Sequence, residues 1–344
     1  MAHYGTTLRI LSGGSAVGLF ESRAARRLDL GSFANDISSM AMKISKSRDV
    51  HYLDRQEGRV AYTVEGSGPL VVAVPGMGDL RSSYRELVGP LLAAGYRVAV
   101  MDLRGHGASD TSFRTHGDVA TAEDLLALID ELGRRAAVLG NSMGAAVAAW
   151  AAAERPDVIA GLVLYGPMLR EPKSTALARV TNRLLYRVAF AGPWGASFWA
   201  SYYRSLNKGT RAPWLEEQIA DIRSNLREPG RLRSLRDLLL QLDHSVVEAR
   251  LGEVEAPMRA FIGDGDPDYS DPAAENEWIA GLGGPGGRSE LVPGVGHYPH
   301  AQRPDIVVPA TLEFLQGLRD GSGGTGTGTS TGTGERTGDW APRG

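Results

Sequence analysis

Ser142 stands in Gly140-Asn141-Ser142-Met143-Gly144, between the apolar run Ala136 to Leu139 and an alanine-rich segment that begins at Ala145. The pattern predicts a strand, a tight turn and a helix, with the hydroxyl raised on a strained corner above a sheet. Gly140 and Gly144 fit that corner because a side chain at either position would collide with the neighbouring strand or helix. The chemistry open to such a serine is attack on a carbonyl carbon. That chemistry requires a base, an acid to orient the base, and donors for the oxyanion. The N–H of Met143, at the start of the helix, is one such donor. A lone Gly-x-Ser-x-Gly is a common string, so its meaning depends on what the rest of the chain supplies.

Three further stretches supply it, each just after a predicted strand, where open α/β sheets place their sites. Gly263-Asp264-Gly265-Asp266-Pro267-Asp268 follows Phe261-Ile262, and its tight turn can aim the carboxylate of Asp266 over the sheet edge; Asp264 and Asp268 are competing acids. His297, in Pro293-Gly294-Val295-Gly296-His297-Tyr298-Pro299, is the candidate base on a glycine-flexed loop, and His106 and His116 are alternatives. Pro75-Gly76-Met77-Gly78 follows the first buried strand, and the N–H of Met77 between its glycines is the second candidate oxyanion donor. The same residues also allow plainer readings. The Asp264–Asp268 turn can be a solvated acidic turn or a cation site, but no second carboxylate cluster completes a metal shell. His297 and His300 form a His-x-x-His pair with no third ligand in view. The expectation is therefore a site with no metal and no cofactor.

Composition narrows the partners. The chain has 344 residues, 42% of them hydrophobic and 22% charged, a formal net charge of −3 and no cysteine. Disulfides, thiol nucleophiles and Cys-ligated zinc are excluded. No block of consecutive Lys and Arg points to nucleic acid or a membrane surface, and no apolar run approaches the roughly 18 residues of a membrane span. Arg26-Arg27 is followed by two acids and no apolar core, so it does not read as an export signal, and a cytoplasmic protein is expected.

The positioning elements follow in order. Residues 1–45 lack a sustained period and read as a poorly ordered extension, with an internal start at Met40 as an alternative origin of the chain. Val50 to Glu65 reads as a hairpin, Leu70 to Val74 as a strand buried on both faces, Ser83 to Ala94 as a helix and Tyr96 to Met101 as a strand. Thr121 is a candidate cap for a helix whose apolar face includes Leu125, Leu128 and Leu132. After the Ser142 unit comes the strand Gly161 to Tyr165. The β, α alternation predicts a doubly wound parallel sheet over residues 46–170, resuming over 255–320 with the strands Met258 to Ile262 and Ser289 to Val292 and helices near Pro272 and Pro304. Residues 171–254 break the alternation with helical periods alone and read as an inserted cap. Its Trp194, Trp199 and Trp214 are candidate substrate-binding residues. Residues 321–344, rich in Gly and Thr, read as a disordered tail.

Taken together, Pro75 to Gly78, Asp102-Leu103-Arg104-Gly105-His106-Gly107-Ala108-Ser109, the Ser142 elbow, the Asp266 turn and Gly296-His297 resemble the α/β-hydrolase superfamily across about residues 50–320. The resemblance implies a mostly parallel eight-stranded sheet flanked by helices with an inserted helical cap, a Ser142/His297/Asp266 triad, Met77 and Met143 as oxyanion donors, a small-molecule substrate and no cofactor. The elbow is similar to that of hydrolases that cleave carbon–carbon bonds, although those carry Trp where this chain has Tyr298. The Asp102 to Ser109 loop is closer to simple esterases and cofactor-free perhydrolases. Serine at 142 argues against haloalkane dehalogenases and epoxide hydrolases, which use aspartate there.

Overall fold

The computed structural model describes residues 49–133, 135–171, 175–282 and 287–321. The extension over residues 1–45, the internal start at Met40 and the tail beyond residue 321 lie outside the described residues. Eight strands form a single sheet: β1 (His51–Arg55), β2 (Gly58–Glu65), β3 (Leu70–Val74), β4 (Arg97–Met101), β5 (Ala136–Asn141), β6 (Ile159–Tyr165), β7 (Met258–Gly263) and β8 (Arg288–Val292), in the spatial order β1-β2-β4-β3-β5-β6-β7-β8. β1 and β2 form the expected hairpin and run antiparallel, as β2 does to β4; every later pairing is parallel. The strands β3, β5 and β6 are buried along their whole length, which is why they read as unbroken apolar runs instead of alternating ones.

The helices outside the insertion are α1 (Arg85–Ala93), α2 (Asp118–Leu132) and α3 (Met143–Glu154) before it, and α9 (Pro272–Leu282), α10 (Pro299–Gln302) and α11 (Pro304–Arg319) after it. One core joins Leu125, Leu128 and Ile129 of α2, Ala145, Val147 and Ala148 of α3 and Ile279 of α9 to one face of the sheet; the other joins Leu87 and Leu91 of α1 and Val307 and Leu315 of α11 to the opposite face. Seven of the twelve residues of α3 are alanine, and the helix is almost wholly buried. Its small side chains let the helix lie close against the strands that carry Ser142.

Two boundaries depart from the sequence reading. The segment expected to be a helix from Ser83 begins as a 3₁₀ turn, Arg81–Tyr84, and becomes α-helical only at Arg85. Thr121 is not the cap of α2. Gly117, at φ 101°, turns the chain immediately before the helix starts at Asp118, and the Thr121 hydroxyl donates back to the Gly117 carbonyl from inside the first turn. Asp124 of α2 is fully buried, and its carboxylate accepts from Arg55 Nε at 2.8 Å and from both Nε (2.6 Å) and Nη2 (2.8 Å) of Arg104. Removing one partner of a buried ion pair strands the other charge, so Asp124→Ala is expected to cost about 3–5 kcal/mol, measurable from the urea midpoint at constant slope.

Between β6 and β7 lie α4 (Ala176–Ala189), α5 (Gly195–Leu206), α6 (Leu215–Leu226), α7 (Arg231–Gln241) and α8 (Ser245–Glu248). A third core joins Trp199, Tyr203, Ile219, Ile222 and Leu235 of these helices to Tyr298 and Ala301, which lie just beyond His297. Each aromatic side chain of this kind buries roughly 150–250 Å², or about 4–6 kcal/mol at ~25 cal/mol per Å². Exposed ion pairs such as Arg204–Glu216 contribute only about 0–1 kcal/mol, so apolar packing holds the insertion to the His297 loop.

Candidate active site

Ser142 sits at φ 55° and ψ −121°, the one non-glycine residue with positive φ among the described residues. The strain is held in place from both sides. A Cβ at Gly140 would lie 2.4 Å from the Gly144 carbonyl oxygen, and a Cβ at Gly144 would lie 2.2 Å from the Val74 carbonyl oxygen. The Ser142 N–H donates to the Tyr165 carbonyl at 3.0 Å and its own carbonyl accepts from Ala145 N, so the ends of β5 and β6 grip the corner. The Met143 N–H is the first of α3 and has no intrahelical acceptor. The loop Gly76–Asp79 closes as a turn, Asp79 N to Gly76 O at 3.2 Å with Gly78 at φ 69°. A Cβ on Gly76 would come within 3.1 Å of Ser142 Cβ, so this loop, with Met77 in it, runs directly beside the serine.

His297 is buried to 1% exposure, and its Nδ1 meets Asp266 Oδ2 at 2.7 Å. Its backbone is fixed by two hydrogen bonds, and a glycine makes room for its ring. The His297 N–H donates to the Leu206 carbonyl at the end of α5, the Asn141 amide donates to the His297 carbonyl at 3.3 Å, and Gly166, at φ 50°, leaves room for the ring. Nε2 of His297 makes no hydrogen bond among the described residues. The three candidate acids separate clearly. Asp266 takes the Nδ1 edge. Asp264 accepts from Gly294 N at 2.8 Å and Val295 N at 3.3 Å and holds the turn that carries His297. Asp268 lies on the opposite ring edge, its Oδ2 3.6 Å from Nε2, while its Oδ1 accepts from the Tyr202 hydroxyl of α5 at 3.0 Å and its N–H donates to Asp266 Oδ1.

Burial disfavours the charged imidazolium of His297, but the charge and hydrogen bond of Asp266, followed by the charges of Asp268 and Asp79, outweigh it and push the group up to about 9. His297 lies above its ordinary value in the folded chain. The stability it contributes is therefore fully present below about pH 6.5 and is lost as pH rises through about 9.

The alternative bases lie elsewhere. His106 Nδ1 sits 2.8 Å from the Arg104 carbonyl inside the loop after β4, and burial pushes it down to about 4; burial also lowers His116. His300 packs between the rings of Tyr84 (5.2 Å) and Tyr165 (4.8 Å), and burial, then the charge of His297, take it down to about 3. Among the described residues, the group of ligand-type side chains that converges is Asp266, Asp268 and His297, with donor atoms within 4.8 Å of one another.

Of the tryptophans, Trp199 donates from its indole N–H to the Gly78 carbonyl at 3.0 Å and so braces the Met77 loop. Trp214 is pinned away at α1, donating to Glu86 at 2.6 Å beneath the guanidinium of Arg85, and Trp194 is 56% exposed. Three further residues shape the site in ways that the sequence reading did not assign. Asn141 ties the strand ends to His297, and Asp268 faces Nε2. Asp79, fully buried and pushed up to about 6 by burial, accepts from Gln218 and Tyr203 of the insertion. Asn141, by its place beside the serine, and Asp268, as a competing acid of the turn, carried a signal; Asp79 carried none.

The geometry is matched by kinship. The sequence model of the alpha/beta hydrolase family matches residues 71–310, and the chain belongs to that family. It is 28% identical to a rice protein named as a probable esterase (Oryza sativa subsp. japonica), over 73% of this chain and 93% of that one. It is also 28% identical to the 2-hydroxy-6-oxononadienedioate/2-hydroxy-6-oxononatrienedioate hydrolase of Comamonas testosteroni, over 77% of this chain and 91% of that one. Among solved structures, a bromoperoxidase from Bacillus anthracis superimposes with a TM-score of 0.66 at 19% identity, covering 78% of this chain and all of that one; this likeness is one of fold.

Proposed function

We propose that the protein is a serine hydrolase that cleaves an ester-type bond of a small, largely apolar substrate through an acyl-enzyme on Ser142. The observation that carries this reading is the joint placement of a strained serine corner and a buried His297–Asp266 pair with a free Nε2. In the reaction, His297 Nε2 takes the Ser142 proton as Oγ bonds to the carbonyl carbon, and Asp266 holds the Nδ1–H tautomer. The N–H groups of Met77 and Met143 receive the oxyanion. Collapse of the intermediate breaks the carbon–oxygen bond, and the alcohol leaves with the proton from His297. Water then gives its proton to His297, attacks the acyl carbon and frees Ser142. The substrate is a small molecule, and the protein is expected in the cytoplasm; among the described residues no helix is long and apolar enough to cross a membrane.

A second reading, carbon–carbon bond hydrolysis on the same residues, is favoured by Asn141 in the elbow and by the Comamonas relative. A fluorophosphonate probe separates catalysis from mere ligand holding. Ser142 is expected to be labelled, as mapped by peptide mass, and failure to label it removes the proposal. Short p-nitrophenyl esters screened beside a ring-fission dienoate then separate the two bond types.

The pH dependence follows from His297. The base must be neutral, and its group lies near 9, so kcat/KM for a p-nitrophenyl ester is expected to climb about tenfold per pH unit below that point and level off above it. A plateau already reached at pH 7 would show that the imidazole is neutral in the free enzyme.

A further inference from the structure

The helix α4 exposes an apolar stripe to solvent: Leu177 (76% exposed), Val180, Leu184 and Val188 fall on one face at spacings of three and four, and Trp194 and Phe198 continue the surface into α5. Single exposed apolar residues need no explanation, but a face of this kind along one helix does. The same helix carries three arginines and no acidic residue, within a chain whose net charge is −3. From this combination we infer that the α4–α5 face is a docking surface for an anionic phospholipid bilayer.

Three considerations select that occupant. A helix with an apolar face, an arginine-bearing polar face and no acid has the composition of a segment that lies in a membrane interface, apolar side down and cations among the headgroups. A second copy of the chain is a poor alternative. A twofold pairing of this face would bring two acid-free, arginine-bearing helices together with no carboxylate on either to answer them. Finally, the face is continuous with the site. α5, which bears Phe198 on the outside and is preceded by the exposed Trp194, also sends Trp199 to the Gly78 carbonyl and Tyr202 to Asp268 beside His297. The helix beneath this face therefore contacts both the Met77 loop and the acid beside His297. The span test of the sequence could not reveal such a surface, because a helix lying in the interface needs no long apolar run.

The test uses the full chain and vesicles of phosphatidylcholine with or without phosphatidylglycerol, read by cosedimentation. It is independent of the hydrolase reading, since binding is measured and not turnover. The wild type is expected to sediment with the phosphatidylglycerol vesicles and to be released by salt. The double variant Leu184→Glu/Val188→Glu is expected to bind at least about tenfold more weakly with an unchanged thermal midpoint, because both positions are exposed. A second pair, Leu177→Gln/Val180→Gln, removes apolar surface without adding charge, must weaken binding in the same direction, and carries the test if the first pair unfolds. The inference is overturned if the wild type ignores anionic vesicles, if it binds both vesicle types equally, or if the variants bind like the wild type. It is equally overturned if light scattering shows a dimer that the glutamates dissociate, which would make the face a self-contact.

Discussion

Asparagine at position 266 will lower kcat/KM for ester hydrolysis about 10⁴-fold, while asparagine at position 268 will raise it at neutral pH. The two carboxylates lie on opposite edges of one imidazole, Asp266 at 2.7 Å from Nδ1 and Asp268 at 3.6 Å from Nε2. Asp266 keeps the proton on Nδ1 and so leaves Nε2 the lone pair that the proposed reaction needs. An asparagine can present its amide instead, which favours the tautomer with no base at Nε2. Asp268 cannot replace it. From its side of the ring it attracts a proton to Nε2, which is the wrong tautomer for taking the Ser142 proton. Its charge also helps hold His297 in the imidazolium form, so removing that charge brings the pH midpoint down from about 9 and enlarges the neutral fraction at pH 7. Initial rates with a p-nitrophenyl ester across pH for both variants are the measurement. A loss for Asp268→Asn as large as that for Asp266→Asn would reverse the assignment of the acid.

Which features were legible in the sequence follows from the range of the interactions involved. The elbow is a local matter: Gly140, Ser142 and Gly144 lie within one turn of each other, and the collisions that require the glycines involve backbone a few residues away or on the next strand. The buried strands β3, β5 and β6 were readable because a strand covered on both faces is apolar throughout. Asp268 and Asp79 could not be assigned in this way. An acidic turn has the same composition whether its third carboxylate faces water or a histidine, and only the fold sets Tyr202 of the insertion against Asp268 and Tyr203 against Asp79. The start of α2 was misplaced for a related reason. Thr121 has the chemistry of a cap, but a glycine at positive φ four residues earlier had already turned the chain. The three tryptophans look alike in sequence, yet one braces the Met77 loop, one packs on α1 and one faces solvent.

The Ser142 corner itself gives the other large effect, because there stability and chemistry oppose each other. Ser142→Gly is expected to abolish turnover, on the order of 10⁶-fold, while raising the melting temperature by a few degrees. With φ 55° and ψ −121°, Ser142 has the backbone of the first central residue of a type II′ turn, a position that glycine occupies without cost. For a residue with a Cβ the strain is of order 1–3 kcal/mol. Glycine relieves that strain and gives back about 0.5–1 kcal/mol through the greater freedom of its unfolded chain, which leaves roughly 1 kcal/mol in favour of the variant. Ser142→Ala loses the hydroxyl equally and keeps the Cβ, so it should be as inactive as glycine but no more stable than the wild type. Calorimetry of the three proteins side by side tests the argument, and a glycine variant that melts at or below the alanine variant would show that the corner is relaxed. Should the glycine variant melt higher, the nucleophile is held in place by a fold that would be more stable without it. The buried contacts of Gly140 and Gly144 would then be what forces a side chain into that conformation.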